Sequence, residues 1–514
     1  MGFAFGMFET QSGFAVSHQY DRSPSIVRPG DPVTLRVQTV HGYSSVTAFV
    51  VDGSGPHSPR TIRETGAATP FERDGNEWSA LLFGSPNGTI QHYVIEATEH
   101  SGSVRYADGS HSVDSATVFA HRVTDRNPPA WTNDAVIYQI FVDRFANAAG
   151  TVSHPDDPMG WGGGDLDGVT EHLDWIKDLG ANCIWITPVF TCQSYHGYDS
   201  LDYHSIDERF GGDDAFRRLI GEAHRRDMKV LMDIVPNHVS SNHEWFQRAL
   251  SGGPERDWFD IDSNGNYQTF FSAQSMPKLM LDHPDARQAM IDVAEFWITE
   301  FGIDGYRIDH ALGPSESFFA ALSERINRIA PDAWLFGEVT SMPSFNRRYG
   351  GLLDGVTDFA FAYGLREYLA GSITAEGFAS LEREAIATHP AEHFSWVRFF
   401  DNHDMERGLT RWQNDQASLV HATDILMSLP GVPTIFYGTE QALTSGVRES
   451  QGGLEVGRIP MTFNRAHPMY ETTRAAIARR RIRSVDQSAP VWWQADGSWT
   501  WDKLGGTLSQ NQDP

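Results

Sequence analysis

From Trp131 onward the chain repeats one unit: a short apolar run rich in β-branched and aromatic residues, a polar or acidic end, then a helical stretch. VIYQIFV (136–142), NCIWITPVF (182–190) and KVLMDIV (229–235) are the first three runs. GIDGYRID (302–309), AWLFGEV (333–339), the region Val356–Phe359, FSWVRFF (394–400) and VPTIFYG (432–438) supply five more. Continuous apolar strands of this length suit a parallel sheet buried on both faces. Between the second and third strands lies a helix. Phe216, Leu219, Ile220 and Ala223 share one of its faces, and Asp213 is its expected N-cap. Leu419, Ala422, Leu426 and Leu429 mark a late helix ending at Pro430-Gly431. Eight strands alternating with helices predict an α/β fold, the (β/α)8 TIM barrel.

The segment before the barrel follows a different period. Val33, Leu35 and Val37 alternate with Thr34 and Arg36, and Val46, Ala48 and Val50 repeat the pattern before an Asp52-Gly53 turn. Residues 1–125 are therefore expected to form an N-terminal β-sandwich, with Asn127-Pro128-Pro129 as linker. The barrel is expected over 126–238 and 286–483. The intervening 239–285 is too long for a plain loop and is expected to form a small subdomain after the third strand. Its aromatics, Trp245, Phe246, Trp258, Phe259, Tyr267, Phe270 and Phe271, suit a small core, with one or two left as flat walls for sugar rings. Residues 484–514 are a short C-terminal β segment, with VWWQADGSWTW as a hairpin turning at Asp496-Gly497.

Composition removes several function classes. The formal charge of −27 argues against a nucleic-acid partner, whose phosphates it would repel. No apolar stretch reaches membrane-spanning length and no basic leader precedes one, so a cytoplasmic location and no membrane partner are expected. Cys183 and Cys192 lack metal-ligand spacing. Cys183 sits in CIWIT as a small core residue.

Four acidic motifs stand at strand ends: DIVPNH (Asp233–His238), GYRID (Gly305–Asp309), FGEV (Phe336–Val339) and FFDNHD (Phe399–Asp404). The carboxyl ends of barrel strands are where such a fold carries catalytic side chains. Cleaving a glycosidic bond with retention needs a carboxylate nucleophile and a protonated carboxyl about 5 Å away. Asp309 fits the first role. Arg307, two residues earlier, points the same way on a strand and would keep Asp309 ionised. Glu338, among Trp334, Leu335, Phe336 and Val339, fits the acid, since an apolar setting raises a carboxyl pKa. Asp404 would hold sugar hydroxyls and favour ring distortion, and His403, His238 and His196 would add hydrogen bonds.

Together these motifs resemble the four core motifs of the α-amylase family of glycoside hydrolases, over about residues 125–465. HGYDSLDYHSID (196–207) matches as well. The resemblance implies that Asp309, Glu338 and Asp404 are nucleophile, acid/base and transition-state stabiliser. It also implies that Tyr198 is a stacking platform for the sugar and that His196, Asp199, His238, Arg307 and His403 belong to the substrate pocket. His310 follows the nucleophile directly and joins that set. MPKL (276–279) and GRIPM (457–461) resemble the cyclomaltodextrinase, neopullulanase and maltogenic amylase subgroup, whereas NHVSSNHEWF (237–246) resembles the oligo-1,6-glucosidase side.

The subgroup resemblance implies a hydrolase of cyclic or short α-glucan oligosaccharides, such as cyclodextrins, pullulan or cyclic maltosyl-maltose. It also implies a homodimer formed through the N-terminal domain. Three other functions stay open: a transglycosylase, an oligo-1,6-glucosidase-like exo-enzyme, and a non-catalytic carbohydrate-binding protein. Leu312 and Gly313 stand where the family usually has polar residues that hold the leaving-group sugar. The chemistry requires no cofactor. A Ca2+ ion sits near the first barrel loop in some relatives. Asn147, the Gly163 carbonyl and Asp165 match part of that ligand pattern, while Ala149 stands where an acidic ligand is expected.

Overall fold

The computed structural model describes residues 14–483, apart from 41, 150, 151, 154, 156 and 390–392, together with three short strands between 491 and 509. Eight parallel strands close into a barrel. They are β1 (Ile137–Ile140), β2 (Cys183–Ile186), β3 (Lys229–Ile234), β4 (Gly305–Ile308), β5 (Trp334–Gly337), β6 (Gly355–Thr357), β7 (Ser395–Arg398) and β8 (Val432–Phe436). β8 pairs with β1 to complete the ring. Every predicted strand is present, and several are shorter than their apolar runs. VIYQIFV stops being strand at Ile140, because Val142–Phe145 turn into a short helix. Phe359 belongs to the helix after β6, whose N-cap is Asp358.

Side-chain alternation along these strands divides the barrel into two apolar systems. Tyr138, Ile184, Val230, Met232, Tyr306 and Leu335 join the large cluster that includes the surrounding helices. Ile137, Cys183, Trp185, Leu231, Trp334, Phe336, Val397 and Val432 form a separate cluster. Residues from such widely spaced strands can meet only inside the barrel, where layers of side chains fill the interior. With a period of two, the next inward positions towards the carboxyl ends are Gln139, Asp233 and Arg307. The interior thus changes from apolar to ionic along its axis. Gly305, at φ +149, lies opposite the Trp334 carbonyl, where a Cβ would come within 2.0 Å of that oxygen. The glycine that opens GYRID is required by this close approach of β4 to β5.

The helix carrying Phe216, Leu219, Ile220 and Ala223 spans Gly212–His224, with all four buried. Its N-cap is Gly211, left-handed at φ 101, and not the expected Asp213. Asp213 sits inside the first turn and accepts the Ile206 N–H at 2.9 Å, tying the helix to the preceding strand. The late helix runs Gln416–Ser428 and is capped at Leu429. Cys183 and Cys192 are buried free thiols.

The N-terminal region forms two five-stranded sheets. Strand Val33–Thr39 buries Val33, Leu35 and Val37 against Trp78, Tyr93, Ile95 and Phe119. Val46 and Ala48 are buried with them, and Val50 is half-buried. This sandwich docks on the helix Glu316–Ile329 after β4 and on the segment 343–350 after β5, where Arg22 Nη2 donates to the Gly350 carbonyl at 3.2 Å. His92 Nε2 lies 2.9 Å from Ser317 Oγ, Arg122 pairs with Glu324 at 2.7 Å and Arg126 with Asp354 at 2.9 Å.

After β3 the chain forms a helix (Glu244–Leu250) and a hairpin (Thr269–Phe270 with Ala273–Pro277). Phe246 packs edge-on against Phe259 and Tyr267, and Trp245 against Trp258, giving this excursion its own core. Phe270 and Phe271 are not in that core. Near the carboxyl end, Val491–Trp493 pairs antiparallel with Ser498–Trp501, which also pairs with a third strand, Gly506–Ser509. The predicted turn at Asp496-Gly497 lies outside the described residues. Among the described residues no helix is long and apolar enough to cross a membrane.

Candidate active site

One guanidinium organises the mouth of the barrel. Arg307, 1% exposed, follows Tyr306 on β4 and points inward. Its Nη1 donates to Asp233 Oδ2 at 3.1 Å and to Asp309 Oδ1 at 2.9 Å. Its Nη2 lies 2.7 Å from Glu338 Oε1. Three carboxylates delivered by β3, β4 and β5 therefore share one cation. Because a single planar fork reaches both Asp309 and Glu338, their oxygens lie within about 8 Å of each other.

Asp233 is the innermost of the three, with no exposed surface. Besides Arg307 it accepts Trp185 Nε1–H at 2.7 Å and the Tyr198 hydroxyl at 2.6 Å. Burial still pushes its carboxyl up to about 7, against the pull of Arg307. Asp309 is buried likewise. Burial lifts it to about 6, Arg307 pulls it down and the neighbouring Asp404 charge adds to the rise. Burial also raises Glu338, against Arg307, with Asp309 and Asp404 reinforcing the shift. Glu338 Oε2 accepts the His310 backbone N–H at 3.0 Å.

Asp404 arrives from β7 and is held differently. Arg458 donates to its Oδ1 at 2.9 Å and His403 Nε2 lies 3.0 Å from its Oδ2. Burial opposes its charge, but His403, Arg458 and Arg307 together hold it well below the usual carboxylate range. The site thus sets two carboxyls of raised proton affinity, Asp309 and Glu338, beside one, Asp404, held far below them. Environments that push carboxyl pKa values apart are what acid/base division of labour requires.

The histidines are largely occupied by the protein itself. Gln139 Nε2 lies 2.7 Å from His403 Nδ1, so the amide donates there and His403 carries its proton on Nε2, facing Tyr198 Oη at 2.6 Å and Asp404. The Tyr198 and His403 rings are parallel, 5.5 Å apart. His196 accepts the Tyr198 backbone N–H at 3.1 Å and its ring stacks on that of Tyr198. His238, 1% exposed, donates to the Tyr198 carbonyl at 3.1 Å and is covered by the Phe270 ring at 4.6 Å. Asp199 is bound by the Ser194 backbone N–H at 3.1 Å and by the Ser194 hydroxyl, which closes the turn carrying His196 and Tyr198. His310 lies beside Glu338 with its ring edge-on to Phe270 and Phe271. Phe271 is 80% exposed.

This constellation can be compared with known proteins. The family model described as "Alpha amylase, catalytic domain" matches residues 139–497. The chain belongs to the α-amylase family. An intracellular maltogenic amylase of Bacillus subtilis (strain 168) is 33% identical over 465 residues, covering 84% of this chain and 78% of the relative. A cyclomaltodextrinase of Bacillus sp. is 35% identical over 352 residues, covering 64% of this chain and 62% of the relative. The chain therefore spans under two thirds of that relative's own length. The ligand-free cyclic α-maltosyl-(1→6)-maltose hydrolase of Arthrobacter globiformis has a similar structure. Its TM-score is 0.67 at 28% identity, over 74% of this chain and 90% of that one.

Within this α-amylase-family site, Asp233, Gln139, Trp185 and Arg458 carry structure-determining bonds that the sequence reading assigned to no residue. DIVPNH contained Asp233 and GRIPM contained Arg458, so both motifs held the signal. What was missing was the partner. The Ca2+ expectation falls on one loop. Asn147 Nδ2 donates to the Gly163 carbonyl at 3.1 Å, and Asp165 caps the following helix through Gly168 N at 2.7 Å. These oxygens serve the loop's own hydrogen bonds, and no group of three or more His, Cys, Asp or Glu side chains among the described residues could hold a metal. A hard cation wants six or more oxygens, of which Asn147, Gly163 and Asp165 would supply part.

Proposed function

We propose that the protein is a retaining α-glucan hydrolase that cleaves α-1,4 and α-1,6 glucosidic bonds in cyclic or short maltooligosaccharides. The observation that carries this reading is the Arg307 guanidinium bonded to both Asp309 and Glu338. It holds two carboxyls of raised proton affinity at one strand-end mouth. Asp309 attacks the anomeric carbon as the glycosidic C–O bond breaks, and Glu338 gives its proton to the departing oxygen. Water then attacks the glycosyl ester. Glu338 takes a proton from that water, and Asp309 leaves as carboxylate. Asp404, held ionised by Arg458 and His403, supplies negative charge beside the cationic ring of both transition states. The names of the matched relatives, cyclomaltodextrinase, maltogenic amylase and a hydrolase of a cyclic α-1,4/α-1,6 tetrasaccharide, support the choice of substrates.

The test is hydrolysis of β-cyclodextrin, pullulan, soluble starch and a cyclic maltosyl-maltose at matched concentration, with product anomers followed by proton NMR. Faster turnover of the small rings than of starch, and α-anomers as first products, are expected. β-Anomers would refute retention, and a clear preference for starch would refute the substrate assignment.

The pH dependence follows from Asp309. The nucleophile must be ionised, and its carboxyl is lifted to about 6 by burial. Protonation therefore removes the reactive form as pH falls. kcat/KM is expected to be half-maximal near pH 6 on the acid side and to fall about tenfold per unit below it. An acid limb near pH 4, the range of an ordinary carboxylate, would contradict the burial assigned to Asp309.

A further inference from the structure

We infer that Gly313 and Asn237 are positioning residues for Glu338: packed against each other with no side chain between them, they set the turn that aims the His310 backbone N–H at the Glu338 carboxylate. This rests on the acid/base role proposed above for Glu338.

Asn237 is the penultimate residue of DIVPNH, just after β3, and is 2% exposed. Its Nδ2 lies 3.3 Å from His238 Nδ1, and its backbone carbonyl accepts the Leu279 N–H at 2.9 Å. Its Oδ1 is buried with no hydrogen-bond partner. A buried amide oxygen left unpaired calls for an explanation, and its surroundings supply one. A Cβ built on Gly313 would lie 1.9 Å from that oxygen and 3.0 Å from His310 Cδ2. Any side chain at 313 must displace Asn237 or the His310 ring, and Asn237 is anchored on both sides.

His310 is the residue that such displacement would reach. It sits at φ 41, the left-handed region that non-glycine residues enter at a cost and keep only when their surroundings impose it. Gly313 N–H bonds the His310 carbonyl at 3.0 Å, and Ala311 N–H bonds the Glu338 carbonyl at 2.9 Å. The rings of Phe270 and Phe271 lie edge-on to the imidazole on one side, at 4.9 and 5.6 Å. On this turn the His310 N–H meets Glu338 Oε2 at 3.0 Å. Arg307 and Asp309 from β4, His310 itself, Asp404 after β7 and Tyr363 on the helix after β6 are the other charged or titratable groups that act on Glu338. A donor on a carboxylate favours its charged form. Moving the His310 N–H away therefore raises the proton affinity of Glu338 and leaves the bonds of Asp309 in place.

The experiment is the pH profile of kcat/KM for Gly313→Ala, on maltotetraose and on 4-nitrophenyl α-maltoside. The alkaline limb reports loss of the proton from the general acid. It is expected to move up by about half to one pH unit, a three- to tenfold change in proton affinity, while the acid limb stays in place. Turnover of maltotetraose, whose leaving oxygen needs the proton, should fall more than that of the nitrophenyl substrate. Asn237→Ala combined with Gly313→Ala makes room for the methyl group and should return the limb towards its original position. Asn237→Leu presses on the same contact from the other side and should reproduce the shift, which keeps the inference testable if Gly313→Ala does not fold. An unmoved alkaline limb in the folded variants, or equal losses on both substrates, would overturn it. Glu338→Gln separates the two levels. If it retains turnover of maltotetraose, the role of Glu338 fails. If it abolishes turnover while Gly313→Ala leaves the limb unmoved, only the positioning inference fails.

Discussion

Asp309→Asn is expected to lower kcat on a maltooligosaccharide by at least about 10⁴-fold. The amide has the shape of the carboxylate but cannot form the glycosyl ester, so the two-step route closes. The fold should tolerate the change. The amide oxygen can still accept Arg307 Nη1, which reaches Asp309 Oδ1 at 2.9 Å, and the backbone N–H of residue 309 keeps its bond to the Ile234 carbonyl at 2.8 Å. Removing a buried charge that burial disfavours offsets part of the lost ionic attraction. Reducing-end release gives the rate, and a thermal melt within a few degrees of wild type gives the control. Activity within tenfold of wild type, with that melt intact, would remove Asp309 from the chemistry.

Arg307→Met is expected to cost about 3–5 kcal/mol of stability, the penalty for leaving a buried charge without its partner. Asp233 has no exposed surface and would keep only the Trp185 N–H and the Tyr198 hydroxyl. The sign of the pH dependence is fixed. Arg307 pulls the carboxyls of Asp233 and Asp309 down, so without it both rise. The ionised forms then cost most at high pH, and the variant should recover stability as pH falls and Asp233 takes a proton. A urea-denaturation series between pH 5 and 8 measures this. Adding Asp233→Asn to Arg307→Met should return most of the loss, since no buried anion then remains at that position. A pH-independent loss under 1 kcal/mol would mean that Arg307 does not compensate Asp233. Catalysis offers a second reading. The acid limb assigned to Asp309 should move above 6, because the cation that favours its ionised form is gone.

How much of this was legible beforehand depends on the range of each contact. Arg307 and Asp309 are two residues apart on one strand, so alternation placed them together without coordinates. The closed barrel follows from eight apolar runs of the right length. Strand ends were less legible: Val142 and Phe359 extend apolar runs but turn helical, because hydrophobicity marks burial and not backbone conformation. Asp213 had the right residue type for a cap, yet a left-handed Gly211 took that place and released the carboxylate to bind Ile206. Arg458 on Asp404, or Gln139 on His403, joins residues 54 and 264 positions apart. Such pairs depend on which strand ends meet across the mouth, and local pattern carries no trace of them. His238 and His403 sit in motifs that suggest contact with sugar, and nothing in those motifs signals that their ring nitrogens also bond Tyr198, Gln139 and Asp404.

A common counter-ion makes Asp233, Asp309 and Glu338 a collective. Neutralising any one of them leaves more of the Arg307 field for the other two, so their titrations shift together. Replacing Asp233, the one of the three outside the proposed chemistry, will therefore displace both flanks of the pH profile at once. Substitutions on the turn after β4, whose His310 N–H bonds Glu338, offer finer control.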